Sequence, residues 1–75
     1  VIDLLYYDGL NWQVIDFKTD SITSDEQKNE LVSRYGPQVR KYMNAVKHFI
    51  GPNVEGRICF LDANGTVALE TVDLY

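Results

Sequence analysis

Two short apolar runs, residues 1–7 and 12–18, flank the stretch Asp8-Gly9-Leu10-Asn11, and this pattern restricts the fold more than any other. Gly9 falls at the first central position of a type II′ hairpin turn, where a positive φ is needed. With Asp8 and Asn11 flanking the turn, Asp3 lies directly opposite Asp16. Neighbours of this kind have Cβ atoms about 4.5–5.5 Å apart on one face of the sheet. Lys18, two positions beyond Asp16, shares that face. Like charges set opposite one another destabilise a sheet, and both carboxylates stand in otherwise apolar surroundings. A divalent cation held between Asp3 and Asp16 turns the repulsion into binding. Two carboxylates and a lysine around a metal are what phosphodiester hydrolysis requires.

The chain has 75 residues, enough for one small domain over residues 1–75. A domain of that size buries only about 60% of its unfolded surface. An apolar share of 45% is ordinary for a folded chain and speaks against disorder. The first residue is Val rather than Met and already lies in a strand pattern, so the sequence reads as part of a longer polypeptide. No apolar run approaches the roughly 20 residues of a membrane span, so no membrane partner is expected. Cys59 is the only cysteine; it excludes an internal disulfide and fits a reducing cytoplasm. The net charge of −4 argues against a freestanding nucleic-acid binder. Metal binding would shrink that deficit, and Arg34, Arg40, Lys41, Lys47 and His48 form a basic cluster.

Residues 1–7 are apolar on both parities except at Asp3, as in a central strand covered on both faces. Residues 19–23 read as a polar connection. Ser24-Asp25-Glu26-Gln27 then matches a capping box, with Gln27 reaching back to the cap. This opens a polar helix to about Tyr35, which Gly36 ends; Pro37 suits the first turn of a second helix. That second helix runs to Ile50 with Val39, Met43, Val46 and Ile50 on one stripe. Gln38, Tyr42, Ala45 and Phe49 form the neighbouring stripe, and Gly51-Pro52 stops the helix. Residues 56–61 and 66–72 are two more strands around Asn64-Gly65, the strongest hairpin signal in the chain. The order strand, strand, helix, helix, strand, strand predicts an α/β domain with a helical layer on a mixed sheet.

An acidic residue two positions before a lysine means little by itself, and Glu26-Gln27-Lys28 provides a control. On a helix such residues point about 200° apart, so that copy builds no site. Gln38 and Tyr42, four apart, project from one helix face, either as an ordinary helix side or as a pair contacting nucleic acid. Asp20 is a turn residue, a cap, or a further polar group near the site. His48 reads as a surface cation near a helix C-terminus and Cys59 as a small core residue. Asp62-Ala63-Asn64-Gly65 is a tight turn, since no downstream glutamate completes a calcium loop.

Three segments together resemble a known nuclease superfamily. Val1-Ile2-Asp3-Leu4-Leu5, then Val14-Ile15-Asp16-Phe17-Lys18-Thr19-Asp20, then Tyr35-Gly36-Pro37-Gln38 through Tyr42 are similar to PD-(D/E)XK nucleases. Most similar is the RecB-type nuclease domain at the C-terminus of bacterial helicase–nucleases of the UvrD/Rep class. The resemblance covers about residues 1–50 and implies a restriction-endonuclease-like mixed sheet with flanking helices. It also implies that Asp3 and Asp16 bind Mg²⁺ or Mn²⁺, with the Phe17 carbonyl as a further ligand. Lys18 would orient or activate the attacking water, and Gln38 and Tyr42 would meet the DNA strand. The family places a further metal-site residue on a helix upstream of the first motif strand, a segment this sequence does not include. An expectation follows that one apolar sheet face lacks its cover and self-associates. The function implied is a metal-dependent DNA exonuclease within a helicase–nuclease for double-strand break repair, working with a partner subunit. The alternatives are a stand-alone single-strand nuclease and a nuclease-like scaffold that binds DNA or a partner without cutting.

Overall fold

The computed structural model describes residues 3–73. Strand β1 (Leu4–Tyr7) and strand β2 (Trp12–Ile22) precede helix α1 (Asp25–Phe49), and β3 (Val54–Ala63) and β4 (Thr66–Val72) follow it. The strands form one mixed sheet in the order β1-β2-β3-β4. β1 and β2 pair antiparallel, as do β3 and β4, while β2 and β3 run parallel. A parallel pair needs a crossover connection of a dozen or more residues, and α1 is that crossover. It is an α/β fold in which one helix covers one sheet face.

The first hairpin has the register expected from its turn, with Leu4 opposite Ile15 and Tyr7 opposite Trp12. Gly9 takes φ +101°, and the Asp8 N–H donates to the Asn11 carbonyl at 3.0 Å. The Asp8 carboxylate accepts from the Leu10 and Asn11 N–H groups at 2.9 and 2.7 Å. Those bonds, together with one from Gln13, hold its pKa below the ordinary value. The second hairpin turns on Asn64 and Gly65, both at positive φ, as an Asn-Gly turn requires.

Four readings of local pattern change. Strand β1 lies at a sheet edge, and its side chains are exposed, so its apolar character does not mark a central strand. Val1 and Ile2 lie outside the described residues, and Asp3 is a bend just before β1. Strand β2 runs on through residues 19–22, because Ile22 buries its side chain in the core and pairs with Ala63. A register shift between Lys18 and Ser21 accommodates the extension. Likewise β3 begins at Val54 rather than at Gly56.

The two expected helices are one. α1 passes through Gly36 and Pro37 without interruption. Proline disfavours a helical residue before it largely through that residue's Cβ, and Gly36 has none. The carbonyl four residues before Pro37 belongs to Ser33, an exposed residue, so water can take the bond that proline cannot make. Leu31, Val39, Met43 and Val46 then form one continuous buried stripe across the proline. Packing along that stripe outweighs the local break. At the N-terminus Ser24 accepts from the Gln27 N–H at 3.2 Å, while Gln27 Oε1 reaches the N–H of Thr23 rather than that of the cap.

Val14, Ile58, Phe60 and Val72 meet this stripe from the sheet. The opposite face carries Leu4, Ile15, Phe17, Cys59 and Leu69, placed on one side by the strand registers. Of these Leu4, Phe17 and Leu69 are exposed and Cys59 is buried. Near the first turn that face holds a polar network. Buried Gln13 donates to Asp8 and Glu55 and accepts from Arg57.

Candidate metal centre

The β1–β2 register, continued by one residue, sets Asp3 against the Asp16–Phe17 segment. Asp3 Oδ2 accepts the Phe17 N–H at 2.9 Å, and the Asp3 and Asp16 carboxyl groups act on each other's ionisation. Asp16 points beneath the helix and is buried at 4% relative exposure, whereas Asp3 is exposed. Lys18 Nζ lies 3.3 Å from Asp16 Oδ2. The structure therefore brings Asp3, Asp16 and Lys18 together. In an extended strand a residue's N–H and C=O face the same neighbour. The Phe17 carbonyl accordingly lies on the β1 side of β2, while the Phe17 side chain lies on the far sheet face.

Burial raises the Asp16 pKa above the ordinary carboxylate value, and the Asp3 carboxyl adds to the rise. The Lys18 ammonium acts in the opposite direction without cancelling them. Asp3 moves down, first through the hydrogen bond from Asp16 and then through the Phe17 N–H. Two adjacent carboxyls oppose each other's ionisation, and the buried Asp16 carries the upward shift while Asp3 carries the downward one. A raised folded-state pKa means that stability is full below the ordinary carboxylate range and declines as pH rises through the folded value. Asn at position 16 removes the charge that burial and the Asp3 carboxyl disfavour. Asp16→Asn in EDTA should thus melt above the wild type at neutral pH, with the gain closing as pH falls below that range. A wild type that melts higher at neutral pH would contradict this assignment.

The donor set suits a small divalent cation. Mg²⁺ commonly takes only one or two protein carboxylates and keeps several waters; Asp16 and Asp3 provide a buried and a solvent-facing carboxylate. Among the described residues no group of three or more His, Cys, Asp or Glu side chains that could hold a metal assembles anywhere, and this site offers two such side chains, Asp3 and Asp16. The control copy behaves as a helix requires. Lys28 turns to Glu70 of β4 at 3.2 Å and toward exposed Asp25 at 3.9 Å.

Gln38 is exposed on α1, and Tyr42 is half-buried against the core. With Pro37 and Lys41 they line one shallow hollow on the helix. Asp20 is neither turn nor cap: its two carboxylate oxygens accept the Tyr35 hydroxyl at 3.1 and 3.2 Å. The Tyr35 ring carries Lys18 Nζ at 4.3 Å from its centroid. Sequence pattern alone assigns Tyr35 no site role, although it lies one turn before Gln38 and two before Tyr42 on the same side of the helix. That spacing is the available signal.

No protein-family model and no solved structure matches the chain. Among the described residues no helix is long and apolar enough to cross a membrane. Two curated relatives are both subunits of ATP-dependent helicase/nucleases. The one from Natranaerobius thermophilus is 41% identical over 49 residues, which is 61% of this chain and 4% of the relative. The one from Desulforamulus reducens is 33% identical over 67 residues, which is 89% of this chain and 5% of the relative. The chain thus corresponds to a short stretch of much longer polypeptides, and what it is similar to is part of a helicase/nuclease.

Proposed function

We propose that this chain carries the metal centre of a Mg²⁺- or Mn²⁺-dependent deoxyribonuclease of the PD-(D/E)XK type. Its setting would be an exonuclease in a helicase–nuclease that processes DNA double-strand breaks, alongside the rest of that polypeptide and a partner subunit. One observation carries the reading: Asp3, from the bend before β1, meets Asp16 and Lys18 of β2, with Asp16 buried and Asp3 facing solvent. The similarity to helicase/nuclease polypeptides supports it independently.

A divalent ion at such a site lowers the pKa of a water and offsets negative charge on phosphoryl oxygens. Asp16 and Asp3 would hold the ion, with the Phe17 carbonyl as the further ligand that the family resemblance implies. The Lys18 ammonium orients the attacking water and stabilises charge that grows as the phosphorus–oxygen bond breaks. Gln38 and Tyr42 contact the DNA strand, and Lys41 in the same hollow adds a cation for a phosphate.

Thermal melts with and without Mn²⁺ test the metal site. A cation at a hundred times its Kd stabilises the native state by about 2.7 kcal/mol. For a domain of this size that amounts to a rise of roughly 10 °C or more. Asp16→Asn should lose most of this rise. An equal Mn²⁺ response in the mutant would remove Asp16 from the site.

A further inference from the structure

We infer that Tyr35 is a positioning residue for Lys18: its ring holds the lysine ammonium beside the Asp3–Asp16 pair, and Asp20 anchors the ring. The inference rests on the nuclease reading for its kinetic consequence but not for its geometry. Lys18 Nζ stands 4.3 Å from the Tyr35 ring centroid and 3.3 Å from Asp16 Oδ2, so the ammonium lies between a helix side chain and a strand side chain. The Tyr35 hydroxyl donates to both oxygens of Asp20, two residues beyond Lys18 on β2. Helix and strand are thereby fastened on either side of the lysine.

A ring suits this task better than a further carboxylate would. A flexible lysine beside two carboxylates tends to settle on them and compete with a metal for the same oxygens. The face of a tyrosine attracts a cation through its quadrupole and leaves the charge intact. The ammonium is shared between the ring and Asp16, with which it pairs at 3.3 Å, so the ring fixes where beside the carboxylate it stands. Lys18 is 24% exposed, so the contact is partly desolvated. Hydrogen bonding to Asp20 fixes the tilt of the ring, and the half-buried body of Tyr35 packs against the core.

The test compares the chain with its Tyr35→Phe, Tyr35→Leu and Asp20→Ala variants. Proton–carbon NMR at one fixed pH, without metal, reads the Lys18 ε-methylene. In the wild type its protons should lie upfield of those of the other lysines through the ring current. Tyr35→Phe, which keeps the ring but loses its bond to Asp20, should shrink that displacement as Asp20→Ala does, and Tyr35→Leu should abolish it. Cleavage of a single-stranded oligodeoxynucleotide in Mn²⁺ is the second arm. Loss of a cation–π contact should lower kcat about tenfold in Tyr35→Leu, with KM nearly unchanged and partial rescue by Tyr35→Phe, which keeps the ring without its anchor. Should Tyr35→Leu fail to fold, Asp20→Ala decides, because freeing the ring should shrink the upfield displacement. An ε-methylene shift indifferent to both substitutions overturns the inference, as does a rise in KM at constant kcat. These 75 residues alone are expected to cut poorly, so the cleavage arm is run in the longer helicase–nuclease polypeptide of the proposed setting; if that wild type cuts no DNA the nuclease reading fails, and the NMR arm still judges the contact.

Discussion

Lys18→Ala should reduce phosphodiester cleavage by roughly 10²–10³-fold, the usual consequence of deleting one preorganised group that stabilises developing charge. The ammonium is the one cation placed within 4 Å of the Asp16 carboxylate among the described residues. It cannot be replaced by an arginine, whose broad planar guanidinium does not fit the point-charge position between Asp16 and the Tyr35 ring. Lys18→Arg should consequently recover only a small part of the activity. Metal binding should survive, because on the proposed reading the carboxylates and not the lysine would hold the ion. Losing the positive neighbour leaves Asp16 more strained in the metal-free fold, so the Mn²⁺-induced rise in melting temperature should be at least as large as in the wild type. Single-turnover cleavage of single-stranded DNA in Mg²⁺, run beside Mn²⁺ melts, separates these effects. Cutting at the wild-type rate by Lys18→Ala would overturn the assigned role; a lost Mn²⁺ response would make Lys18 part of the metal's support instead.

Much of this site was legible because it is local. A hairpin's register follows from its turn, and Gly9 at positive φ fixes which residue faces Asp16. Period-two alternation then puts Lys18 on the same face. Elsewhere the local signal gave the wrong answer for identifiable reasons. Gly36-Pro37 carries a genuine helix-stop pattern, yet the buried stripe from Leu31 to Val46 spans it. Residues 19–22 look like a polar loop, and only the burial of Ile22 against distant β3 makes them strand. The parallel pairing of β2 with β3 joins segments separated by the whole helix, and no short pattern encodes it. Tyr35 and Asp20 belong to the same category. Their link is a helix-to-strand contact that exists only after α1 has docked.

Gly56→Val should destabilise the chain by about 3 kcal/mol or more, at the upper end for inserting bulk into a packed core. Gly56 does not have a positive φ, so a side chain there meets no backbone strain. In a strand it would even gain propensity and restrict the unfolded chain. The loss must come from space. A Cβ at this position would collide with the Met43 side chain and lie 3.0 Å from Val39 Cγ1. Both residues are at the centre of the helix–sheet contact, at 2% and 0% exposure. Met43 is flexible and can partly withdraw, so Gly56→Ala should cost less, about 1–3 kcal/mol. Adding Met43→Ala to Gly56→Val should recover part of the loss, since one cavity answers one intrusion. The consequence reaches the site as well. Gly56 pairs with Val14, two residues before Asp16, and Val39 lies one turn beyond Tyr35 on α1. Lifting the helix at Gly56 therefore draws the Tyr35 ring off Lys18. Urea denaturation of the single and double mutants measures the first effect, and the Lys18 ε-methylene shift in Gly56→Ala measures the second. A Gly56→Ala protein as stable as the wild type would show that the helix sits farther from β3 than this packing requires.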